Sequence, residues 1–382
     1  MLRVDRPYGG TGTMRSTVAI VSLEALRWNL SLIKRKAQGA GICAMVKANA
    51  YGHGMVRCAQ ALQDEGVAFL GVAFVEEGIL LRKAGITCPI LVLTPNEPHQ
   101  AQHVATHNLT MVICSIEQAR GLNEVAARGN AIQGHLYVDT GMHRDGFLAS
   151  DIADALLEFA EMPGLHLTGI CTHLATTDVA SDPFITEQLE LFARVLWQCE
   201  LSGFSFAHIH AANTGAIWQS QSACFTLVRP GLSLYGYANP ADELMQLRPV
   251  LSIRSAVLSI RHLWPGETVS YGRRFMTPRQ TTIVTVPIGY GDGYMRALSG
   301  KASCLIGGKQ YPVVGTVCMD EVMVDVGDDA VAVGDEVVLL GIQSAGNGEV
   351  NSIDAIDLAS WANTIPYEIT TAISERVRRE YV

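Results

Sequence analysis

The sequence has 382 residues, and its 28 basic and 37 acidic side chains give a formal net charge of −9 with histidine neutral. This acidic balance excludes a protein that binds nucleic acid through a basic surface. Hydrophobic residues make up 48% and charged residues 17% of the chain, so we expect a large packed core rather than disorder. The longest apolar runs are strand-sized, far below the ~20 residues of a membrane-spanning helix, and we expect no membrane segment and no membrane partner.

The N-terminus and the cysteines indicate the compartment. Residues 1–20 contain no uninterrupted apolar run, so we expect no secretory signal peptide. The nine cysteines are scattered, odd in number and without a Cys-x-x-Cys pair. We interpret them as buried thiols in a reducing cytoplasm, and we predict no metal site.

Strand-like and helix-like segments alternate over the first 240 residues. Short apolar runs predict strands at 42–46, 69–72, 90–93, 110–113, 135–138, 167–172, 208–210 and 227–234. Helical periodicity predicts helices at 24–37, 55–64, 76–84, 98–105, 116–128, 150–161, 183–201 and 214–218. Eight of each is the count of a (β/α)8 barrel of the TIM type. The alternative, a doubly wound open sheet, would want a Gly-rich dinucleotide turn, and residues 47–54 lack the G-x-G-x-x-G spacing.

The sequence pattern changes after about residue 240. Short β-branched runs separated by Gly, Asp and Pro predict strands at 250–258, 282–287, 302–306, 311–317, 322–326 and 336–340, followed by a helix at 352–363. Segment 17–21 is a predicted strand with no helix before it, so we expect it to join this mostly-β domain. The predicted division is an extended segment 1–14, an α/β barrel over 15–240 and a C-terminal β-domain over 241–382.

A lysine directly follows the first predicted barrel strand. Reactive groups of such barrels sit at the C-terminal strand ends, and a partly desolvated lysine there is suited to Schiff-base chemistry. Lys47 lies in the string A-M-V-K-A-N-A-Y-G-H-G. This string closely resembles the pyridoxal-phosphate (PLP) lysine motif of the alanine racemases, a family that joins a barrel to a β-domain.

Further segments resemble the same family, in the same order, to the end of the chain. They are V-D-T-G-M-H-R at 138–144, G-I-C-T-H-L-A at 169–175, H-A-A-N-T at 210–214, R-P-G-L-S-L-Y-G at 229–236, S-Y-G at 270–272, G-Y-G-D-G-Y-M-R at 289–296, G-T-V-C-M-D at 315–320 and Y-E-I at 367–369. The resemblance covers essentially everything after residue 15.

The resemblance implies a catalytic set. Lys47 would bind PLP covalently and act as the base on one face of the substrate Cα, with Tyr271 on the other, since racemisation needs a base on each face of a planar carbanion. His173, with Arg229 behind it, is the relay that would activate Tyr271. Arg229 would also face the pyridine nitrogen and disfavour its protonation. In the family the tyrosine comes from the partner subunit, so a homodimer with shared sites is implied.

The resemblance also implies a binding set. The residues expected to contact the cofactor are Lys47, Tyr51, Asn213, Thr214, Arg229, Gly231, Leu232 and Tyr367. Thr214 stands where the family usually has serine. Arg144 and the backbone N–H of Met319 would bind the substrate carboxylate, and crowding by Tyr271, Tyr367 and Met319 favours alanine over longer amino acids.

One position departs from the family. Most members have a carbamylated lysine where this chain has Tyr137, and the carbamate orients the substrate-binding arginine. A tyrosine cannot form a carbamate. Arg144 must therefore be oriented by Tyr137 itself, by a nearby acid or by a bound chloride, and Asp139 and Asp145 are the candidates nearby in sequence.

The expected activity is that of a cytoplasmic PLP-dependent alanine racemase supplying D-alanine for peptidoglycan. A racemase of serine or of broad specificity is the alternative within the class, although the broad-specificity relatives are exported. A related PLP decarboxylase would replace the Tyr271 arrangement with a cysteine. Non-catalytic PLP-binding homeostasis proteins resemble only the barrel and are shorter.

Overall fold

The structure, a computed structural model, describes residues 15–127, 129, 131–179, 181–238 and 246–382. The predicted segment 1–14 lies outside them. Two compact units divide the chain. The barrel comprises Ser22–Val250 with Tyr381–Val382, and the β-domain comprises Leu251–Glu380 with the described residues up to Val21. Among the described residues, the helices are too short or too polar to cross a membrane.

The barrel is built from parallel strands. The first ten strands in chain order are β1 (Val18–Val21), β2 (Gly41–Met45), β3 (Phe69–Val72), β4 (Ile90–Val92), β5 (Thr110–Ile113), β6 (Ile132–Asp139), β7 (Phe147–Leu148), β8 (Leu165–Cys171), β9 (His208–His210) and β10 (Leu227–Val228). Strands pair in the order β10-β2-β3-β4-β5-β6-β8-β9, and β7 pairs with β6. Backbone N–H groups of Thr226 and Arg229 donate to the carbonyl oxygens of Ile209 (3.1 Å) and Ala212 (2.8 Å), which joins β9 to β10. The barrel prediction is confirmed, and the open-sheet alternative was wrong.

Helices follow the barrel strands and cover them. They are α1 (Leu23–Lys36), α3 (Met55–Asp64), α4 (Val75–Lys83), α5 (Ala101–Thr106), α6 (Ile116–Ala126), α7 (Ile152–Ala160), α8 (Phe184–Leu201) and α9 (Thr214–Gln219), with α10 (Ala355–Ala362) and α11 (Pro366–Thr371) in the β-domain. The short segment α2 (Lys47–Tyr51) is a turn with positive φ values and not a right-handed helix. Serine side chains cap two of them: Ser22 accepts from the Ala25 N–H and Ser115 from the Gln118 N–H. Because helices cover their outer face, β3, β4 and β5 are buried at every position.

The β-domain is predominantly antiparallel. Its further strands are β11 (Leu251–Ala256), β12 (Ser259–Leu263), β13 (Thr268–Val269), β14 (Phe275–Met276), β15 (Thr281–Val286), β16 (Ser303–Ile306), β17 (Lys309–Val314), β18 (Val322–Gly327), β19 (Glu336–Ser344), β20 (Val350–Ile353) and β21 (Arg378–Tyr381). The large sheet runs β12-β15-β18-β17-β16-β19-β11-β1-β21, with β20 beside β19. In it β1 pairs antiparallel with β11, Val18 opposite Arg254, so the N-terminal strand belongs to this sheet.

One predicted strand was too long. The expected strand 227–234 ends at Val228. Pro230 still accepts from the Met45 N–H at 3.0 Å, but it has no N–H of its own to continue the ladder. The chain then turns into a short 3₁₀ helix, Leu232–Tyr235, which delivers residues 229–232 to the end of the barrel.

Candidate active site

Lys47 is followed by a turn of left-handed helix. Ala48, Asn49 and Ala50 have φ values of 51°, 55° and 54°, and Tyr51 continues at 53°. Each non-glycine residue in this region costs about 1–2 kcal/mol relative to the right-handed form. Such a run persists only where its surroundings hold it, and strain of this kind concentrates at functional sites.

Two side chains hold the turn. The Glu77 carboxylate accepts from the backbone N–H groups of Ala48 and Ala73, both at 2.7 Å. The Asn49 side-chain oxygen accepts from the Met55 N–H at 2.8 Å and so starts α3. Glu77 was not predicted as a site residue, because nothing in the sequence links the first turn of α4 to the lysine motif.

The charges of two arginines act on the Lys47 amine. Partial burial lowers the pKa of the Lys47 amine, Arg144 and Arg229 lower it further, and Glu77 partly opposes them. Lys47, Arg144 and Arg229 follow the C-terminal ends of the parallel strands β2, β6 and β10, so these three predicted residues lie at the same end of the barrel. A lowered pKa leaves more of the amine unprotonated and nucleophilic near neutral pH.

Arg229 is buried, and both of its terminal nitrogens donate hydrogen bonds to barrel residues. Nη1 donates to His210 Nδ1 (2.7 Å) and to the His210 carbonyl oxygen (2.9 Å). Nη2 donates to the carbonyl oxygens of Thr172 (2.8 Å) and Ala211 (3.1 Å) and to His173 Nδ1 (3.2 Å). Within the described chain the Nε–H makes no hydrogen bond, so it is the donor that Arg229 retains for a ligand.

His173 is held as a neutral ring. Burial, followed by the charges of Arg229, Arg144 and Lys47, lowers its pKa to about 3. Its Nδ1 accepts from Arg229, which places the proton of the neutral ring on Nε2. Gln188 fixes the segment by donating to the His173 carbonyl oxygen at 3.1 Å. The permanent positive charge of the predicted relay therefore resides on Arg229.

The buried histidines make the fold sensitive to acid. Burial is the main cause that lowers the pKa of His135 and His173 to about 3 and that of His210 well below its usual value. The unfolded chain binds these protons below about pH 6.5, whereas the folded chain does not. Each group therefore lowers the free energy of unfolding, by up to about 1.4 kcal/mol per pH unit, as the pH falls from about 6.5 towards 3.

This acid sensitivity is measured by urea unfolding. We expect a clearly lower midpoint at about pH 5 than at about pH 7.5, and a smaller difference for His135→Asn, which removes one of the three groups. A wild-type midpoint that is the same at both pH values would contradict the neutral, buried assignment.

Thr214 lies among backbone N–H groups. Its hydroxyl oxygen accepts from the N–H of Gly231 (3.0 Å) and the N–H of Ser233 (3.3 Å), which places the buried Leu232 beside it. Asn213, just before it, caps α9 by accepting from the Ala216 N–H at 3.2 Å. The Thr214 hydroxyl keeps a proton to donate, and hydroxyl donors suit a phosphate group.

Gly231 allows the close approach of Tyr51. A Cβ atom at Gly231 would collide with the Tyr51 hydroxyl, so any larger residue there would displace the Tyr51 ring. The Tyr51 ring packs on that of Tyr235, with centroids 5.0 Å apart. The barrel residues thus fit PLP: the Thr214 hydroxyl for its phosphate, the retained Arg229 Nε–H for the ring nitrogen and the Lys47 amine for the aldehyde.

Arg144 is paired with its neighbour in sequence. Its Nε donates to the Asp145 carboxylate at 3.3 Å. Of the two acids that the sequence offered, Asp139 instead accepts from the N–H groups of Gly141 (2.9 Å) and His143 (3.0 Å) and so shapes the loop.

The Tyr137 hydroxyl is buried near Arg144. Burial raises the pKa of Tyr137, and Arg144 partly opposes this rise. Among the described residues, no group forms a hydrogen bond with the Tyr137 hydroxyl oxygen. The tyrosine ring packs against Gly146, where a Cβ atom would collide with it.

The remaining predicted residues lie in the β-domain. Tyr271 begins a short turn in which Ser270 has a φ of 66°. Ser270 donates to the Thr316 carbonyl oxygen (2.6 Å), and the Thr316 hydroxyl donates to the Tyr271 carbonyl oxygen (2.8 Å). This ties Tyr271 to the loop of Met319, and Tyr367 lies on α11.

Two family models cover nearly the whole chain. The model described as "Alanine racemase, N-terminal domain" matches residues 21–239, and the one described as "Alanine racemase, C-terminal domain" matches residues 250–381. The chain belongs to the alanine racemase family. The resemblance predicted from the lysine motif is thereby confirmed.

Individual alanine racemases match over their full length. The protein of Geobacter sulfurreducens is 40% identical over 377 residues, covering 96% of this chain and 97% of the relative. That of Symbiobacterium thermophilum is 41% identical over 373 residues, with coverage of 96% and 97%. Among alanine racemase structures, the one from Streptomyces lavendulae has a TM-score of 0.90 at 34% identity, covering 97% of this chain and 98% of that one. The Bartonella henselae structure, with covalently bound pyridoxal phosphate, has a TM-score of 0.87 at 28% identity, with coverage of 97% and 100%.

Proposed function

We propose that this protein is a PLP-dependent alanine racemase, which interconverts L- and D-alanine. The observation that carries the proposal is Lys47, displayed on a left-handed turn at a strand end, with its pKa lowered by partial burial, Arg144 and Arg229. The full-length alanine racemase relatives support the same activity. PLP, when bound, supplies the conjugated ring that withdraws electrons from the substrate Cα.

The barrel residues would hold the cofactor. The Lys47 amine would bind its aldehyde carbon, and the Arg229 Nε–H would donate to its ring nitrogen. Because a guanidinium does not deprotonate in proteins, Arg229 disfavours a second proton at that nitrogen. The residues proposed to contact the cofactor besides these two are Tyr51, Asn213, Thr214, Gly231, Leu232 and Tyr367.

Two bases would act on opposite faces of the substrate Cα. Lys47 would move a proton on one face, and Tyr271 of a partner subunit would move one on the other. Tyr271 is 73% exposed in the single chain, which keeps its phenol accessible to a second copy. We therefore propose a homodimer whose active sites are shared between subunits.

Substrate recognition would rest on Arg144 and Met319. The Arg144 guanidinium would bind the substrate carboxylate, since its planar fork suits two carboxylate oxygens. The Met319 carbonyl oxygen accepts from the Gly291 N–H at 2.9 Å, which fixes the peptide beside its N–H, the second proposed donor. Crowding by Tyr271, Tyr367 and Met319 would favour alanine over larger amino acids.

The test is a coupled assay for D-alanine formed from L-alanine by the purified protein with PLP. L-serine and L-lysine run in parallel decide the substrate. We expect D-alanine formation to be much the fastest of the three. Equal rates with L-serine would favour the broader racemase, and PLP binding without turnover of any of them would favour a non-catalytic carrier.

We further propose a cytoplasmic enzyme that supplies D-alanine for peptidoglycan. All nine cysteines are free thiols in the structure, the state expected in a reducing compartment. Loss of the gene is expected to make a peptidoglycan-forming host depend on added D-alanine.

Asp145→Asn is expected to raise the KM for L-alanine by up to about fivefold, because the pair with Arg144 is partly exposed and such pairs contribute about 0–1 kcal/mol. The kcat should change little, since Asp145 only orients the guanidinium. Steady-state kinetics in both directions measure this, with the exposed Asp151→Asn as the matched control. A fall in kcat at constant KM would contradict the assigned role.

Activity is expected to be independent of bicarbonate, because the phenol at Tyr137 cannot be carbamylated. Tyr137→Lys should create a bicarbonate-sensitive enzyme if the buried pocket accepts a carbamate beside Arg144. Initial rates in carbon-dioxide-free buffer with and without added bicarbonate measure the effect, and Tyr137→Phe is the matched control. Bicarbonate dependence of the wild type would overturn this account.

A further inference from the structure

A row of buried histidines continues inward from Arg229. His210 lies on β9 and His135 on β6, and both side chains are fully buried. Arg229 Nη1 lies 2.7 Å from His210 Nδ1, and His210 Nε2 lies 2.9 Å from His135 Nδ1. In the described part of the chain His135 Nε2 meets no hydrogen-bond partner. The proposed catalytic set uses Arg229 but gives His135 no part.

Only one arrangement of protons satisfies these distances. A guanidinium donates and cannot accept, so His210 Nδ1 must accept from Arg229. The proton of a neutral His210 ring is then on Nε2, where it is donated to His135 Nδ1. His135 in turn carries its proton on Nε2, the buried nitrogen without a partner.

The surroundings keep both rings neutral and in place. The groups whose charge acts on His135 are His208 and Arg229, and those acting on His210 are Arg229, His135 and His208. None of these groups is an acid that would stabilise an imidazolium. The His135 ring packs over Gly169, where a Cβ atom would lie 2.6 Å from it, and edge-on to Phe69 with centroids 5.5 Å apart.

We propose that His135 is a positioning residue for Arg229: it accepts the proton of His210 Nε2, so it holds the His210 ring with Nδ1 towards the guanidinium, whose Nε–H is thereby directed at the ligand. Both terminal nitrogens of Arg229 are already committed to acceptors, so the direction of Nε depends on those acceptors staying acceptors. Without an acceptor at His135, the buried His210 Nε2–H would lose its partner, and the ring would no longer be held with Nδ1 facing Nη1. The inference rests on the proposed function only for the identity of the ligand at Nε.

Two variants of similar size separate this role from simple packing. His135→Leu removes the acceptor of the His210 Nε2–H, so the His210 ring is no longer held with its Nδ1 towards Arg229. His135→Asn keeps an oxygen acceptor close to the former Nδ1 position. A purely structural role predicts that both variants fail alike, whereas the proposed role predicts rescue by asparagine.

The first readout is the histidine tautomer in the PLP-free protein. Nitrogen-15 NMR of histidine-labelled protein is expected to show His135 and His210 protonated at Nε2 in the wild type. The Nε2–H of His210 should keep the chemical shift of a hydrogen-bonded proton in His135→Asn and lose it in His135→Leu. An Nδ1-protonated His210 in the wild type would overturn the proposal, and this measurement stands even if the leucine variant does not fold.

The second readout is PLP affinity, measured by fluorescence titration of the PLP-free protein. We expect about tenfold weaker binding in His135→Leu, as for the loss of one buried hydrogen-bond acceptor, and near wild-type binding in His135→Asn. Equal affinities in the leucine and asparagine variants would overturn the proposal. If the wild type shows the expected tautomers but does not racemise alanine, the proposed function fails while the positioning role of His135 remains.

Discussion

Lys47→Ala is expected to abolish racemisation, with a fall of at least about 10³-fold in kcat/KM for both alanine enantiomers. The variant loses the covalent anchor of the cofactor together with one of two acid–base groups, and general acid–base catalysis by itself contributes about 10²–10⁴-fold. It should also lose the visible absorbance of covalently held PLP. The coupled assay and an absorbance spectrum measure the two effects on the same preparation.

The control for Lys47→Ala is Lys83→Ala, which removes an exposed lysine at the end of α4. This control should keep both the absorbance and the activity. A small added amine should restore part of the activity of Lys47→Ala, because it can replace the missing base. An alanine variant that is active without any amine would refute the assignment of Lys47.

The barrel could be predicted because its signal is local and repeated. Buried strands such as β3 and β5 read as continuous apolar runs, and amphipathic helices such as α1 follow with a different period. The N-terminal strand β1 was also predictable, since it has strand character without a preceding helix. Each of these features depends on residues within a few positions of each other.

The left-handed turn after Lys47 could not be predicted from its sequence. Ala48 and Ala50 favour right-handed helix by propensity, and their positive φ values are imposed by contacts with Glu77 and Asn49. Glu77 comes from the helix after the next strand. The tertiary contact with Glu77 thus overrides the local preference of the two alanines for right-handed helix.

The groups that hold the two arginines of the site could not be predicted from the sequence either. The resemblance identified Arg229 and Arg144, but it did not identify what holds them. The buried pair His210 and His135 becomes visible only when β6 and β9 are placed in one barrel. Asp139 and Asp145 were both candidates to orient Arg144. The structure selects Asp145, because its side chain and that of the adjacent Arg144 point towards each other in a tight loop.

Tyr271→Phe is expected to leave PLP bound while racemisation falls by about 10²–10⁴-fold, the range for loss of one positioned acid–base group. Only one face of the substrate Cα then keeps a base. Abstraction of the proton from L-alanine should suffer most, since the family resemblance assigns that face to the tyrosine. Solvent-deuterium exchange at Cα, started from each enantiomer, measures this. Tyr311→Phe, another β-domain tyrosine that donates to Asp329, is the matched control, and unchanged exchange from L-alanine would contradict the role.

Mixing the two inactive variants tests whether the site is shared between subunits. A hybrid dimer of Lys47→Ala and Tyr271→Phe chains has one site with both defects and one site with neither, if Tyr271 crosses to the partner's Lys47. Each hybrid should therefore regain about half the activity of a wild-type dimer, because one of its two sites is intact. If both groups came from the same chain, every site would carry one defect, and hybrids shown to form by differential tagging would stay inactive.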